Sequence, residues 1–217
     1  MHRVARLSES ALLRNLAALR DEVGPELVLD VRADAYGHGL DRVVELALGA
    51  GVHRFWPGIG VAVPRGTASI GADWRSLALY GFRQGSTPVL TLEAEVVSVK
   101  SAGSGAPVSY GYTYRTAAPT RLALVALGYA DGVPRRASNT ANAALGGAQH
   151  VIAGRIAMDQ LVLDIHDTEA EIGSVAALWG DPAAGAPSPL DWARWTARTP
   201  AALTAALGPR IRREWVA

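Results

Sequence analysis

The chain contains no cysteine, so disulfide frameworks, thiolate metal sites and cysteine nucleophiles are all excluded. Lysine is nearly absent as well: of 21 basic residues only Lys100 is a lysine, and the others are arginines. Arginine is a poor amine nucleophile because its charge is delocalised and permanent. Any reaction that requires a side-chain primary amine therefore has a single candidate.

Charge imbalance and long apolar runs are also missing. The 21 basic and 20 acidic side chains give a net charge of +1 and are spread along the chain, which favours neither nucleic acid nor a membrane surface as a partner. No uninterrupted apolar run approaches about 18 residues, and the start MHRVARLSES lacks the apolar centre of a secretory signal. We therefore expect a cytoplasmic protein.

The first part of the chain has helical and strand patterns in alternation. Residues 8–20, SESALLRNLAALR, place leucines on one helical face behind a Ser8 cap. The strand LVLDV follows, then a Gly-rich turn, and then LDRVVELALGAG with helical spacing. Such a β-loop-α unit is typical of a parallel sheet.

From residue 56 the pattern changes. Proline and glycine interrupt every apolar run over about 56–74, which indicates a junction. From residue 85 short alternating segments separated by turn residues predict a small β-barrel or sandwich. A closing helix over 190–208 is broken by Pro200, and the tail PRIRREWVA adds a last strand. The predicted fold class is thus α/β plus all-β, with domains at 1–84 and 85–217.

One motif resembles a known family. VRADAYGHG (31–39) is similar to the cofactor-binding motif of alanine racemases, which are fold-type III pyridoxal phosphate (PLP) enzymes. Five further motifs follow in that family's order: LALYG (77–81), VSYGYTY (108–114), LGYADGVPRR (127–136), GRIAMDQLVLDI (154–165) and LGPRIRREWV (207–216).

The resemblance implies an eight-stranded (β/α) barrel that carries PLP, followed by a C-terminal β-domain. Such barrels need roughly 200 residues, whereas only about 84 residues precede the β-domain motifs here. We therefore predict a truncated remnant of the PLP-binding (β/α) barrel, with its middle deleted, followed by the alanine-racemase C-terminal β-domain.

By the resemblance, Arg32 stands at the position of the lysine that forms the Schiff base with PLP. It is either a salt-bridged or surface arginine, or it pairs with a phosphate or carboxylate. Tyr36 matches a tyrosine that binds the cofactor phosphate, and a second such tyrosine is replaced by Ala201. The arginine that contacts the pyridine nitrogen falls on Trp74 by strict count, with Arg75 one residue away.

In the β-domain, Tyr110 matches the second catalytic base of the racemase. Tyr129, Met158 and Asp159 match residues that line the substrate-binding side, with Ala157 where the family has a small polar residue. The alternative is that these are turn and core residues of a β-domain. The five histidines have no metal-ligand spacing, so we predict no metal site and expect each histidine in a loop or at the surface.

In that family the active site forms between subunits, with the lysine from one chain and the tyrosine from the β-domain of the other. We therefore expect a degenerate alanine racemase homologue that is not an independent racemase. Its partner is a full-length racemase in a heterodimer, or a second copy in a homo-oligomer. Two alternatives stay open: an active PLP-dependent racemase of a small amino acid, rebuilt around Lys100, and a β-domain binding module or gene remnant.

Overall fold

A computed structural model describes residues 2–217, with an α/β part followed by a part dominated by antiparallel strands. The strands are β1 (Arg3–Ser8), β2 (Leu29–Asp30), β3 (Arg54–Trp56), β4 (Thr67–Ala68), β5 (Leu90–Ala102), β6 (Pro107–Val108), β7 (Tyr114–Arg115), β8 (Thr120–Val125), β9 (Asn142–Leu145), β10 (Ala148–Val151), β11 (Leu161–His166), β12 (Val175–Trp179) and β13 (Arg212–Val216). The helices are α1 (Glu9–Val23), α2 (Arg32–Gly37), α3 (Leu40–Gly49), α4 (Pro189–Thr196) and α5 (Pro200–Ala205). This architecture confirms the predicted class, mixed α/β followed by mostly β.

The α/β part is built on α1, α3 and a small parallel sheet. Helix α1 begins after Ser8, whose Oγ accepts a hydrogen bond from Ala11 N at 3.1 Å, as the cap prediction requires. Its buried leucines pack in one core with β2, β3 and α3. The strand predicted from LVLDV is shorter than expected, because the chain already leaves the extended conformation at Val31.

The parallel sheet has the order β2-β3-β4 and within residues 2–217 it extends no further. The outer edge of β2 is covered by the 3₁₀ turn Trp74–Tyr80. Asp30 N donates to Ser76 Oγ at 3.3 Å, and the Tyr80 hydroxyl donates to the carbonyl of Asp30 at 2.7 Å. The turn therefore satisfies backbone groups that a neighbouring strand would otherwise take.

The β part is organised by β5, the longest strand. Its first half pairs with β1 and β12, and its second half pairs with β8 after a register shift between Val96 and Ser98. Strand β8 continues to β11, and β12 continues to β9 and β10. Inside lies an apolar core in which Trp179 and Trp192 are fully buried, with ring centroids 5.0 Å apart.

Strand β1 was not anticipated from the sequence. It lies in the large sheet, antiparallel to β5 and parallel to β13, with Leu7 opposite both Leu90 and Trp215. Ala5 and Leu7 are fully buried in the core of the β part. The chain thus starts in the large sheet, leaves it through α1, and returns at β5. The domain boundary at residues 84 and 85 stays a prediction.

The predicted break in the last helix is present. Helix α4 ends at Thr196, and Pro200 is the first residue of α5, where proline costs no hydrogen bond. Thr199 caps α5 through a hydrogen bond from Ala202 N. No helix among residues 2–217 has both the length and the apolar character needed to cross a membrane.

One of the histidine expectations is wrong: His150 lies in strand β10 and is 4% exposed, so it is neither in a loop nor at the surface. His38 lies in the turn after α2, as expected, but it is 0% exposed. A ring nitrogen of each contacts a backbone carbonyl, Ala35 O at 2.9 Å for His38 and Leu145 O at 3.1 Å for His150, which offsets the cost of burial. Within residues 2–217 no group of three or more His, Asp or Glu side chains converges to hold a metal ion.

Candidate functional site

The β part carries a cleft of about 500 Å³ that contains the four residues predicted there. Its lining consists of Tyr110, Tyr129, Arg135, Ile156, Ala157, Met158, Asp159 and Gln160. Tyr110 is 71% exposed and Met158 is 54% exposed, so neither is a core residue. Both lie in turns, so the alternative that they are turn residues of a β-domain stays open, and both side chains are accessible to another molecule.

Backbone contacts hold the two sides of this cleft together. Gly128 lies so close to the next loop that a Cβ there would be 2.3 Å from Met158 O. Beside it, Tyr129 N donates to Ala157 O and Ala130 N donates to Met158 O, both at 3.0 Å. The positions of Tyr129 and Met158 are thereby fixed relative to each other.

Asp159 is held by a charge network that the sequence did not reveal. Arg210 joins Asp159 Oδ1 at 2.6 Å and Asp131 Oδ1 at 2.9 Å. Asp131 is fully buried, accepts a hydrogen bond from Gly128 N at 2.9 Å, and has Arg3 Nε within 3.9 Å. The Asp159 carboxylate is therefore already engaged by Arg210, whereas among residues 2–217 no such ion pair holds the Arg135 guanidinium in the same cleft.

In the α/β part, Arg32 is tied to the residue two positions before it. Its Nε donates to Asp30 Oδ1 at 2.9 Å and its Nη2 donates to Asp30 Oδ2 at 2.6 Å, the paired geometry typical of arginine and carboxylate. The Tyr36 hydroxyl donates to the same Asp30 Oδ2 at 2.6 Å. We call these three residues the Asp30 clasp. Arg32 thus forms a salt bridge within the chain, and its pairing with a further phosphate or carboxylate stays a prediction.

The pKa values within the Asp30 clasp follow from these bonds. Burial raises the pKa of Asp30, but the hydrogen bonds from Arg32 and Tyr36 outweigh burial and hold the pKa below its usual value. The bond to Asp30 raises the pKa of Arg32. Burial, with the bond to Asp30, raises the pKa of Tyr36 to about 12. At neutral pH the clasp is thus one carboxylate, one guanidinium and one protonated phenol.

The segment after Arg32 is a left-handed helical turn. Four consecutive residues, 33–36, have φ between 51° and 57°, and each such residue costs about 1–2 kcal/mol for an L-amino acid. Gly37 ends the turn, and a Cβ there would lie 2.5 Å from Thr204 O. Three sets of hydrogen bonds hold the turn in place. They are those of the Asp30 clasp, the bond from Leu40 N to the Asp34 carboxylate, and the bond from Arg213 Nε to Gly37 O.

The remaining predicted positions lie apart from both groups. Arg75 pairs with Asp73, and Trp74 is 69% exposed with the Arg83 guanidinium 4.7 Å above its ring. Lys100 is exposed on β5. Among residues 2–217 the side chains of Arg32 and Tyr36 have no polar contact with the Tyr110 cleft, since their side-chain polar contacts are confined to the Asp30 clasp.

The resemblance carried by the motifs agrees with comparisons to known proteins. The family described as alanine racemase, C-terminal domain, matches residues 89–215, well over half of the chain. The chain belongs to the alanine racemase family. An alanine racemase from Beutenbergia cavernae is 45% identical over 130 residues, which cover 59% of this chain and 34% of that protein. The sequence match thus spans only about a third of the length of this curated relative.

Solved alanine racemases share the fold. The enzyme from Streptomyces lavendulae aligns with a TM-score of 0.86 and 21% identity, covering 100% of this chain and 97% of that one. The Bartonella henselae alanine racemase, solved with covalently bound pyridoxal phosphate, aligns with a TM-score of 0.81 and 17% identity over the whole of both chains. At these identities the likeness concerns the fold alone.

The residues around the racemase motif do not fit PLP. Position 32 offers a guanidinium that is bonded to Asp30 instead of a free amine, and the Tyr36 hydroxyl donates to the same carboxylate. Asp30 also places a negative charge where a phosphate would approach Tyr36, which disfavours a second anion. Lys100 lies on another sheet, beside Arg121 and Glu171. We therefore derive no step of a reaction through PLP.

Three features of these sites were not predicted from the sequence. The Asp30–Arg32 pair had a usable signal, because residues two apart at the end of a strand share one face. Arg210 and Asp131 are far apart in sequence, and nothing in the motifs that contain them indicates that they meet. Arg135, in PRR of the fourth motif, lies in the Tyr110 cleft with its guanidinium 5.4 Å from the Tyr129 ring centroid.

Proposed function

We propose that this chain is a non-catalytic member of the alanine racemase family that pairs with a full-length racemase and supplies Tyr110 to that enzyme's active site. The observation that carries the proposal is the asymmetry between the two predicted half-sites. The side chains of Arg32 and Tyr36 are both hydrogen-bonded to Asp30, whereas Tyr110 is 71% exposed in an open cleft. The half that a β-domain contributes is thus accessible, and the half that receives the cofactor is closed by its own side chains.

The short parallel sheet supports the part of the proposal that concerns the loss of independent activity. The chain aligns with the Streptomyces lavendulae racemase over nearly all of both chains, yet 130 of its residues are only 34% of the Beutenbergia cavernae enzyme. The parallel sheet of residues 2–217 has three strands, whereas a complete barrel of this class has about eight. Most of the loops that would surround a cofactor at the carboxyl ends of the strands therefore have no counterpart.

Apolar surface supports association with a partner. Tyr110, Tyr112 and Met158 are all more than half exposed on one side of the β part. Tyrosine, arginine and methionine are enriched in protein interfaces. All three residue types occur here, because Arg135 lines the same cleft as Tyr110 and Met158. The partner in this proposal is a full-length racemase with its own lysine and barrel.

The direct test is complementation of a racemase that lacks its own tyrosine. The Beutenbergia cavernae racemase with its Tyr110-equivalent replaced by alanine is mixed with this chain at micromolar concentration, and alanine racemisation is followed. We expect activity to return with the native chain and not with Tyr110→Phe, while size-exclusion chromatography shows the same complex for both. The absence of a complex, or equal activity with both chains, contradicts the proposal.

A second experiment addresses independent activity. The purified chain is titrated with PLP, reduced with borohydride and analysed by peptide mass spectrometry, with alanine racemisation measured in the same tube. We expect neither an adduct nor turnover. A reduced adduct on Lys100 together with turnover would instead establish a racemase rebuilt around the single lysine.

A further inference from the structure

A second cleft, of about 380 Å³, lies next to the Tyr110 cleft and shares Arg135 with it. Its lining consists of Thr113, Arg135, Arg136, Ser138, Asn139 and Arg155. Three of these six are arginines and none is acidic. We call it the arginine cleft, and we propose that it binds a phosphate group, either as inorganic phosphate or as a phosphate monoester.

The arginine cleft has uncompensated charge. Across residues 2–217 no Asp or Glu forms an ion pair with Arg135, Arg136 or Arg155, and none of the three guanidinium groups donates a hydrogen bond within the chain. The net charge of the whole chain is only +1. The cluster is therefore a local concentration of positive charge and not a property of the whole surface.

Hydrogen bonds hold the loops that carry these arginines against each other. Ser138 Oγ donates to Arg135 O at 2.6 Å and accepts from Ile156 N at 3.0 Å. Asn139 Oδ1 accepts from Gly154 N at 2.6 Å, and its amide donates to Thr113 Oγ1 at 3.1 Å. These bonds keep the loops together, so the positive charges of Arg135, Arg136 and Arg155 stay close to one another despite their mutual repulsion.

Backbone strain concentrates around the same cleft. Asn139, Tyr112 and Ser109 have φ values of 62°, 50° and 59°, three of the few non-glycine residues in the left-handed region outside the 33–36 turn. Strained backbone persists where the surrounding contacts enforce it, and it clusters at binding sites. Arg155 is part of these contacts, because a Cβ on Gly111 would lie 3.3 Å from its guanidinium.

The number of charges favours phosphate over a simple carboxylate. A phosphate monoester carries about −1.5 to −2 charge and three acceptor oxygens, which suits several guanidinium forks at once. A carboxylate carries a single negative charge and two oxygens, so it leaves more of the positive charge unneutralised. The neighbouring cleft shares Arg135 and contains the exposed ring of Tyr110, which offers an apolar surface to the group esterified to the phosphate.

The test is a calorimetric titration of the full chain with inorganic phosphate, with chloride replaced so that the ionic strength stays constant. We expect saturable binding with a dissociation constant on the order of 1 mM. Arg136→Ala and Arg155→Ala should each weaken it by about tenfold. Phenyl phosphate that binds more tightly than inorganic phosphate identifies an aromatic ester as the ligand, and equal affinity identifies phosphate itself.

The matched control is Arg14→Ala, which removes the same charge from an exposed position on α1 outside the cleft. We expect phosphate affinity to change by less than about twofold with this variant. Circular dichroism of every variant separates loss of binding from loss of fold. Binding that does not saturate, or an equal loss of affinity in Arg14→Ala and Arg155→Ala, would overturn the proposal. Neither result bears on the complementation by Tyr110.

Discussion

Asp30 and Arg32 face each other across two nearly parallel hydrogen bonds of 2.9 and 2.6 Å, although only one residue separates them. The Asp30 carboxylate is 8% exposed, while the Arg32 side chain is about half exposed. The pair therefore lies at the border between the core of the α/β part and solvent. The consequence is that the Arg32 guanidinium is held by a carboxylate of the same chain and offers no nucleophile.

Replacement of Asp30 tests the Asp30 clasp. Asp30→Asn removes the charge that Arg32 and Tyr36 share, and we expect the free energy of unfolding to fall by about 1–2 kcal/mol, because Arg32 can regain water. Urea denaturation at pH 7 measures this loss. The control is Glu26→Gln, whose pair with Arg54 is exposed, where we expect a change within about 0.5 kcal/mol. Equal effects of the two variants would show that the clasp adds nothing beyond a surface pair.

Gly37 provides a test of the left-handed turn. Gly37→Ala forces a Cβ to within 2.5 Å of Thr204 O at a φ of 79°, and we expect a loss of about 2–4 kcal/mol in thermal or urea unfolding. Gly39→Ala is the matched control, because its φ is 93° but no atom lies within 4 Å of the added Cβ. We expect that variant to lose only the backbone contribution, about 1–2 kcal/mol. A larger loss in Gly39→Ala would contradict the role of the Thr204 contact.

His38 predicts an acid-sensitive fold. Burial lowers its pKa to about 4, and the groups that face it are the rings of Tyr80 and Phe82, the backbone carbonyls of Ala35 and Tyr36, and the Arg213 guanidinium. The unfolded chain takes up this proton near pH 6.5, earlier than the folded chain does. We therefore expect stability to be complete above pH 6.5 and to fall by about 2–3 kcal/mol as the pH approaches 4.

Urea unfolding at several pH values measures this loss, and His38→Gln serves as the comparison. That variant has no imidazole to protonate, so its stability should change much less between pH 6.5 and 4. The Asp30 contribution does not overlap with this window, because a carboxylate with a lowered pKa loses its contribution only as the pH falls below its usual value of about 4. The same pH slope in both proteins would exclude His38 as the source.

Restoring lysine at the racemase position is expected to be insufficient. In Arg32→Lys the new amine remains beside the Asp30 carboxylate, and Tyr36 still donates to that carboxylate. We expect no adduct after incubation with PLP and borohydride reduction, as judged by peptide mass spectrometry. A reduced adduct at position 32 would show that the single substitution, and not the short sheet, is what prevents cofactor capture.

The sequence predicted the elements whose stability comes from local patterns. Helices α1 and α3 follow from the spacing of their leucines and valines, and the Ser8 cap is read directly from residue type. The left-handed turn could not be predicted, because Ala33 and Ala35 have no preference for that conformation. It is enforced by distant groups such as Arg213, whose position depends on the completed fold.

The candidate site likewise has features that the sequence predicts and features that depend on long-range contacts. The motif order placed Tyr110, Tyr129, Met158 and Asp159 correctly in one cleft, since the family resemblance carries spatial information that residue patterns lack. The Arg210 network and the arginine cleft depend on loops brought together by the β part. Neither long-range pairing nor the absence of a counter-charge is visible in a single sequence.

The position of β1 determines how the α/β part is attached to the large sheet. Ser8 N donates to Val89 O at 2.9 Å, so the polypeptide leaves the large sheet and returns to it at neighbouring points. Everything from α1 to the 3₁₀ turn Trp74–Tyr80 is an excursion between two adjacent strands. An excursion anchored in this way can be shortened or exchanged without displacing its anchor strands, as in domain insertion. The pairing of β1 with β5 can therefore stay the same whatever the length of the segment between them.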